Sequence, residues 1–317
     1  VFERVPGDHR ASPPALRLIG NPSSRRDPRH LQLDRSLELL PLFRLSDSSE
    51  DGAVSFSPGP PHPPGARWRV LPAPGDRLPG TFDQDVYVEL FRRYHDAGAP
   101  SDGTIAFTLH AFLRAMGRRV DGRTYEQLRG ALTRLERTVL ESAGSYFVAG
   151  QTSAQGTGQA ASAGYLDERL TLLTAVSVDR RRSAERDQLA LFPVLATGEP
   201  GEARVTLAPL LRANLAAGHA VTLSAARYFE LPSPTARRLY RLLAAVRSGS
   251  EADSTGPAEW DVALEALAEQ LPLSQRYPSH LQRVLEPAHS LLKAAGVLRS
   301  AAVRQQRREW VVHYGLA

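Results

Sequence analysis

The sequence contains no cysteine, which excludes disulfide frameworks, thiolate metal sites and cysteine nucleophiles together. Lysine is nearly absent as well, since Lys293 is the only one and almost all positive charge is arginine. GC-rich coding produces such a bias without functional pressure, so the positions of the arginines carry more information than their number. No apolar run approaches the roughly 18 residues of a membrane span. The opening VFERVPGDHRASPPALRL lacks the continuous apolar centre of a secretory signal, and a cytoplasmic protein with no membrane partner is expected. Catalytic signatures are missing too. There is no GxxxxGK[ST] phosphate loop, no HExxH and no G-x-S-x-G, and the histidines are scattered. The reading is therefore of a protein that is not an enzyme and carries no metal or cofactor.

What is present is enough chain, 317 residues, for about two domains of ordinary size. Basic residues outnumber acidic ones by 39 to 34, giving a formal charge of +5 and a pI near 9.8, which points to an anionic partner. From Gln275 to the end, seven basic residues face two acidic ones. That surplus equals the surplus of the whole chain.

Residues 1–30 are rich in Pro, Arg, Ser and Asp and read as a flexible arm. Residues 31–200 and 201–317 are expected to form two domains. In the first, LQLDRSLELLPLFRL supplies a short helical turn and RWRVL a strand. TFDQDVYVELFRRYHDAG reads as a helix capped by Thr81 and ended by Gly98. Asp83 and Asp85 within it resemble metal ligands, although a helix N-terminus attracts carboxylates for dipole reasons alone. TIAFTLHAFLRAMG reads as a strand entering a helix capped by Thr108. GRTYEQLRGALTRLERTVLES, residues 122–142, then reads as one helix with Tyr125, Leu128, Leu132, Leu135 and Val139 inward. SYFVAG, YLDERLTLLTAVSVDRR and DQLALFPVLA read as strands, with the low-complexity QTSAQGTGQAASAG between the first two.

The second half repeats the plan. ARVTLAPLLRANLAAGHAVTLSAARYFEL carries strand and short-helix signals. SPTARRLYRLLAAVRSG is amphipathic with Leu239, Leu242, Leu243 and Val246 inward, and WDVALEALAEQLPL reads as the next helix. YPSHLQRVLEPAHSLLKAAG follows, with Leu281, Val284, Leu285, Ala288 and Leu292 on one face and Pro287 expected to kink it. VLRSAAVRQQRREWVVHYG looks like a hairpin. Helix, turn, helix and hairpin, occurring twice, is the plan of an α+β protein with two tandem winged-helix domains.

The outward face of residues 122–142 holds Arg123, Gln127, Gly130, Thr133, Arg134 and Arg137. Gly130 is the odd member, since glycine inside a helix costs about 1 kcal/mol against alanine. One reading is that it lets the helix approach a DNA groove, where arginine pairs bidentately with guanine. The other is a solvated face paired with Glu126 and Glu136. In the second half Ser279, Arg283 and Lys293 face outward with Gln282 and His289 beside them, and Arg304, Arg307 and Arg308 cluster at the hairpin tip, within reach of phosphates. Tyr240 in RRLYRLL is flanked by leucines and reads as a core tyrosine rather than a nucleophile.

In order and spacing, PLFRL, LPGTFDQDVYVELF, IAFTLHAFLRAMGR, GRTYEQLRGALTRLERTVLES, LPSPTARRLYRLLA and HLQRVLEPAHSLLKAAGVL resemble the replication initiator protein A family of plasmid and secondary-replicon initiators. The resemblance spans about residues 37–317. It implies two winged-helix domains that bind direct repeats, or iterons, in double-stranded origin DNA and help to open it. It also implies a homodimer, joined through the first domain, in equilibrium with monomer. It implies further that the dimer represses its own promoter and that the host replication initiator and the replicative helicase are partners. The insertion at 151–164 departs from a compact wing. A winged-helix transcription regulator or nucleoid-associated protein is the alternative.

Overall fold

The computed structural model describes residues 30–45, 52–150, 164–178, 202–248 and 258–317. The arm up to residue 29, the strand expected in DQLALFPVLA and nearly all of the QTSAQGTGQAASAG segment lie outside the described residues. The chain enters as β1 (His30–Asp34) and turns into α1 (Arg35–Leu39), with the Asp34 carboxylate accepting from the Leu37 N–H to cap the helix. β1 pairs antiparallel with β11 (Ala220–Ser224), setting Leu31 against Leu223 and Leu33 against Val221. β10 (Glu202–Leu207) lies between β4 (Thr104–Thr108) and β9 (Leu173–Val178). A domain boundary at 200 therefore does not follow the sheets, because residues 202–224 are hydrogen-bonded into the first half. Ladder bonds between strands a hundred residues apart leave no trace in local composition.

The first half is built on α2 (Thr81–Asp96), α3 (Leu109–Ala115) and α4 (Gly122–Arg137) with the sheet β4-β10-β9. Thr108 caps α3 as expected, accepting from the Ala111 N–H. Thr81 does not cap α2. Gly80 is the N-cap, and its N–H donates to Asp83 at 2.7 Å. The helix expected over 122–142 stops at Arg137, because Thr138 turns extended and Val139–Ala143 forms β5. The adjacent Thr138 and Val139 are β-branched and favour a pleated strand. β5 pairs with β3 (Arg67–Leu71) in a four-stranded sheet, β2-β3-β5-β8, whose outer strands are β2 (Val54–Phe56) and β8 (Arg169–Leu170). β6 (Tyr146–Phe147) and β7 (Tyr165–Leu166) form a small pair beside it. In this half the hairpin thus does not directly follow α4, since β5 to β8 intervene.

Three helices connect the halves: α5 (Pro209–Ala216), α6 (Ala225–Glu230) and α7 (Pro234–Arg247). Beyond them WDVALEALAEQ divides into β12 (Glu259–Ala263) and α8 (Leu264–Gln270), in place of the single helix expected. α9 (Pro278–Ala294) runs through Pro287 as one helix. β13 (Leu298–Gln306) and β14 (Glu309–Leu316) complete a sheet ordered β12-β14-β13. Its connection order, with the third strand between the first and second, matches that of β4-β10-β9.

A contiguous apolar core runs through both halves, and α7 is its shared strut. Leu239, Leu242 and Leu243 are buried as the periodicity predicts, and so is Tyr240, whose hydroxyl accepts from the Ser224 N–H. Arg238 and Arg241 are buried beside them. Arg238 donates to the Glu38 and Leu40 carbonyls at 3.0 Å and to the Gln270 carbonyl at 3.3 Å, joining α1 to the end of α8. Burial lowers its pKa to about 10, so the guanidinium stays charged at neutral pH. Buried charges of this kind are tolerable only when paired and hydrogen-bonded, and Glu38 supplies the countercharge, with Nη1 of Arg238 3.7 Å and Nε of Arg241 3.4 Å from its carboxylate.

Candidate nucleic-acid interface

α4 packs on α2, α3 and β9 through Leu128, Ala131, Leu132 and Leu135, all fully buried. Asp121 caps it by accepting from the Thr124 N–H. Of the outward residues, Arg123, Gln127 and Arg137 are exposed and Thr133 is half-buried. The side chains of Arg123, Gln127 and Arg137 have no hydrogen-bond or ion-pair partner among the described residues.

Arg134 behaves differently. Its Nη2 donates to Oδ1 of Asp83 at 2.7 Å and its Nε to Oδ2 at 3.1 Å, with side-chain exposures of 12% and 1%. A Cβ at position 130 would lie 3.2 Å from the Arg134 Nη1. The glycine clears the path along which the guanidinium folds back to α2. Gly130 and Arg134 thus serve the α2–α4 packing, which corrects their reading as a groove-facing pair. The glutamates also have other work. Glu126 pairs with Arg129, and Glu136 accepts from the Val176 N–H of β9 at 3.0 Å.

The carboxylates of α2 are taken up by the scaffold. Asp83 takes the Gly80 N–H and Arg134, while Asp85 accepts from Arg118 at 2.6 Å, Arg237 at 2.5 Å and the Tyr228 hydroxyl at 3.0 Å. Among the described residues no group of three or more His, Asp or Glu side chains is placed to hold a metal ion.

The last turn of α3 and the turn that follows it carry basic residues that the α4 face alone does not include. Arg114 is exposed and Arg119 is 88% exposed, 3.6 Å from Asp121. The stretch LRAMGRRVDGR displays these arginines openly in the sequence, but a turn has no periodicity to mark which of its residues share a face.

On α9 the exposed side chains include Ser279, Arg283 and Lys293. His289 does not join them. It is buried, with Nε2 2.8 Å from the Tyr314 hydroxyl, and burial pushes its pKa down to about 4, so it is neutral at pH 7. At the hairpin tip Gln306 opposes Glu309, which leaves Arg307 and Arg308 as the two turn residues. Arg307 has φ of 55°, a left-handed conformation normally given to glycine or asparagine. Arg304 opposes Val311, one residue out of step with the inward-packed Trp310 and Val312. Strand alternation then puts Arg304 on the sheet face away from α9, shortly before the turn that holds Arg307 and Arg308.

Residues 33–291 match the family Replication initiator protein A. The chain belongs to this family. Similar solved structures include domains 2 and 3 of RctB as a selenomethionine derivative, at 12% identity and TM-score 0.49, covering 86% of this chain and 94% of that one. A second RctB domain 2–3 structure has 11% identity and TM-score 0.47, with 89% and 96% covered. The Pi initiator protein, solved in complex with iteron DNA, has 10% identity and TM-score 0.47, with 91% and 98% covered. No curated protein matches the chain. Among the described residues of this family member, no helix is long and apolar enough to cross a membrane.

Proposed function

We propose that this protein is a sequence-specific initiator that binds direct repeats in double-stranded origin DNA and helps to open the DNA beside them. Family membership supports the replication role. The observation that carries DNA reading is the pair of exposed faces whose polar groups are not consumed internally: Arg123, Gln127 and Arg137 on α4, and Ser279, Arg283 and Lys293 on α9. The shared strand order of β4-β10-β9 and β12-β14-β13, each beside a helix pair, supports two tandem winged-helix units. In that plan α4 and α9 enter major grooves, where arginine pairs bidentately with guanine, with Thr133 at the margin of the α4 surface. Arg307 and Arg308 grip phosphate at the tip of the second unit, and Arg304 reaches it from the opposite sheet face. A left-handed residue costs about 1 kcal/mol unless it is glycine, and at position 307 that conformation presents an exposed arginine at the tip.

The same reading includes a monomer that acts on the repeats, a homodimer joined through the first unit that represses its own promoter, and recruitment of the host initiator and replicative helicase. Binding of the full chain to duplex DNA carrying the direct repeats beside its gene, against a scrambled duplex of equal composition, tests it. Preference for the repeats is expected to persist as salt rises while binding to the scrambled duplex falls away. Equal affinity for both would overturn the proposal.

A further inference from the structure

Tyr277 is the one large apolar side chain that the fold leaves exposed among the described residues, at 71%. It stands at the N-cap of α9 but makes no side-chain capping hydrogen bond, so neither the core nor the helix start uses its ring. It is nevertheless held in place. Pro278 restricts the preceding backbone to the extended region, where Tyr277 has φ −81° and ψ 133°. The ring meets His280 edge-on, with centroids 5.7 Å apart and planes at 78°. His280 lies one helical turn before Arg283, so the aromatic pair heads the exposed row containing Ser279 and Arg283. Arg276 and Arg283 are exposed near it, and Lys293 at the far end of α9, against the single exposed carboxylate of that helix, Glu286. That balance favours a polyanion as the occupant.

We propose that Tyr277 is a specificity-determining residue, its ring laid against base edges when α9 enters the major groove. This rests on the proposed function. The N-terminal residues of a groove-bound helix are the ones that reach bases, and the apolar group a base offers there is the thymine methyl. Tyr277 adds an apolar surface to an edge otherwise made of Arg276, Ser279, His280 and Arg283.

The test selects binding sites from a pool of duplex DNA with a randomised segment, using the full chain, Tyr277→Ala and Tyr277→Phe. Neither substitution removes a buried side chain. Wild type and Tyr277→Phe are expected to enrich the same motif. Tyr277→Ala is expected to enrich that motif with one or two neighbouring thymine-containing positions relaxed, and to bind the wild-type motif about five- to tenfold more weakly. Its affinity for the unselected pool stays unchanged. If Tyr277→Ala enriches the unrelaxed motif, or loses affinity equally for motif and pool, the inference is overturned. If wild type itself enriches no motif, the proposed function fails and takes this inference with it.

Discussion

Arg134 of α4 grips Asp83 of α2 through two hydrogen bonds, of 2.7 and 3.1 Å, at the point where Asp83 also receives the Gly80 N–H. One carboxylate thereby ties the start of α2 to the last turns of α4. Arg134→Ala would leave that nearly inaccessible carboxylate without its cation, and losing one partner of a buried pair costs about 3 to 5 kcal/mol. Arg137, exposed one turn further on, is expected to be worth less than about 0.5 kcal/mol of stability. Denaturant unfolding of the two alanine variants checks the contrast, and equal effects would remove Arg134 from the scaffold.

Gly130 follows from the same ion pair. Glycine to alanine inside a helix ordinarily gains about 1 kcal/mol. Here the new Cβ would meet the Arg134 Nη1 at 3.2 Å, and two hydrogen bonds to Asp83 pin that guanidinium. Gly130→Ala is therefore expected to gain little or to destabilise in the wild type, and to recover the full gain in an Arg134→Ala background. A double-mutant cycle measures the coupling, and strict additivity would show that the glycine is there for another reason.

The tip arginines are expected to act through charge. Replacing Arg307 and Arg308 with alanine should weaken binding to repeats and scrambled duplex alike. It should also reduce the salt slope of log K by about 0.9 for each phosphate that is no longer neutralised. A slope equal to that of the wild type would place the tip away from the backbone.

Much of this arrangement is legible in the sequence because it is local. Thr108 and the amphipathic leucines of α7 follow from periodicity and capping chemistry within a few residues. What escapes is non-local. The helical wheel points Arg134 outward, but a long side chain goes where its partner is, and Asp83 lies 51 residues earlier. Arg238 and Arg241 are charged residues on a leucine helix, buried because Glu38, some 200 residues away, meets them. VLESA and WDVA suggest helix because their apolar residues continue a helical spacing. Their strand form depends on β3 and β14, which only the fold brings alongside. Ser279, Arg283 and Lys293 of α9 are exposed as the pattern implies, since nothing distant competes for them.

His289 offers a test by pH. Burial holds its folded pKa near 4, below the ordinary 6.5. A depressed folded pKa contributes stability that is fully present above pH 6.5 and lost as pH falls toward 4 and below. Over that window the wild type should lose up to about 1.4 kcal/mol per pH unit relative to His289→Gln. Unfolding free energies of both proteins between pH 7 and 4 check this, and parallel pH profiles would mean that His289 is not held neutral.

Most direct for the central claim, that α4 and α9 each read duplex DNA, is a footprint of the full chain on the repeats beside its own gene. It is taken for the wild type, for the Arg123→Ala, Arg137→Ala double variant and for Arg283→Ala. The wild type is expected to protect two separate segments within a repeat. The double variant should lose one and Arg283→Ala the other, each with a loss of about 1 to 3 kcal/mol per base pairing removed. Protection that is absent in the wild type, or unaltered in both variants, would contradict DNA reading by these two helices.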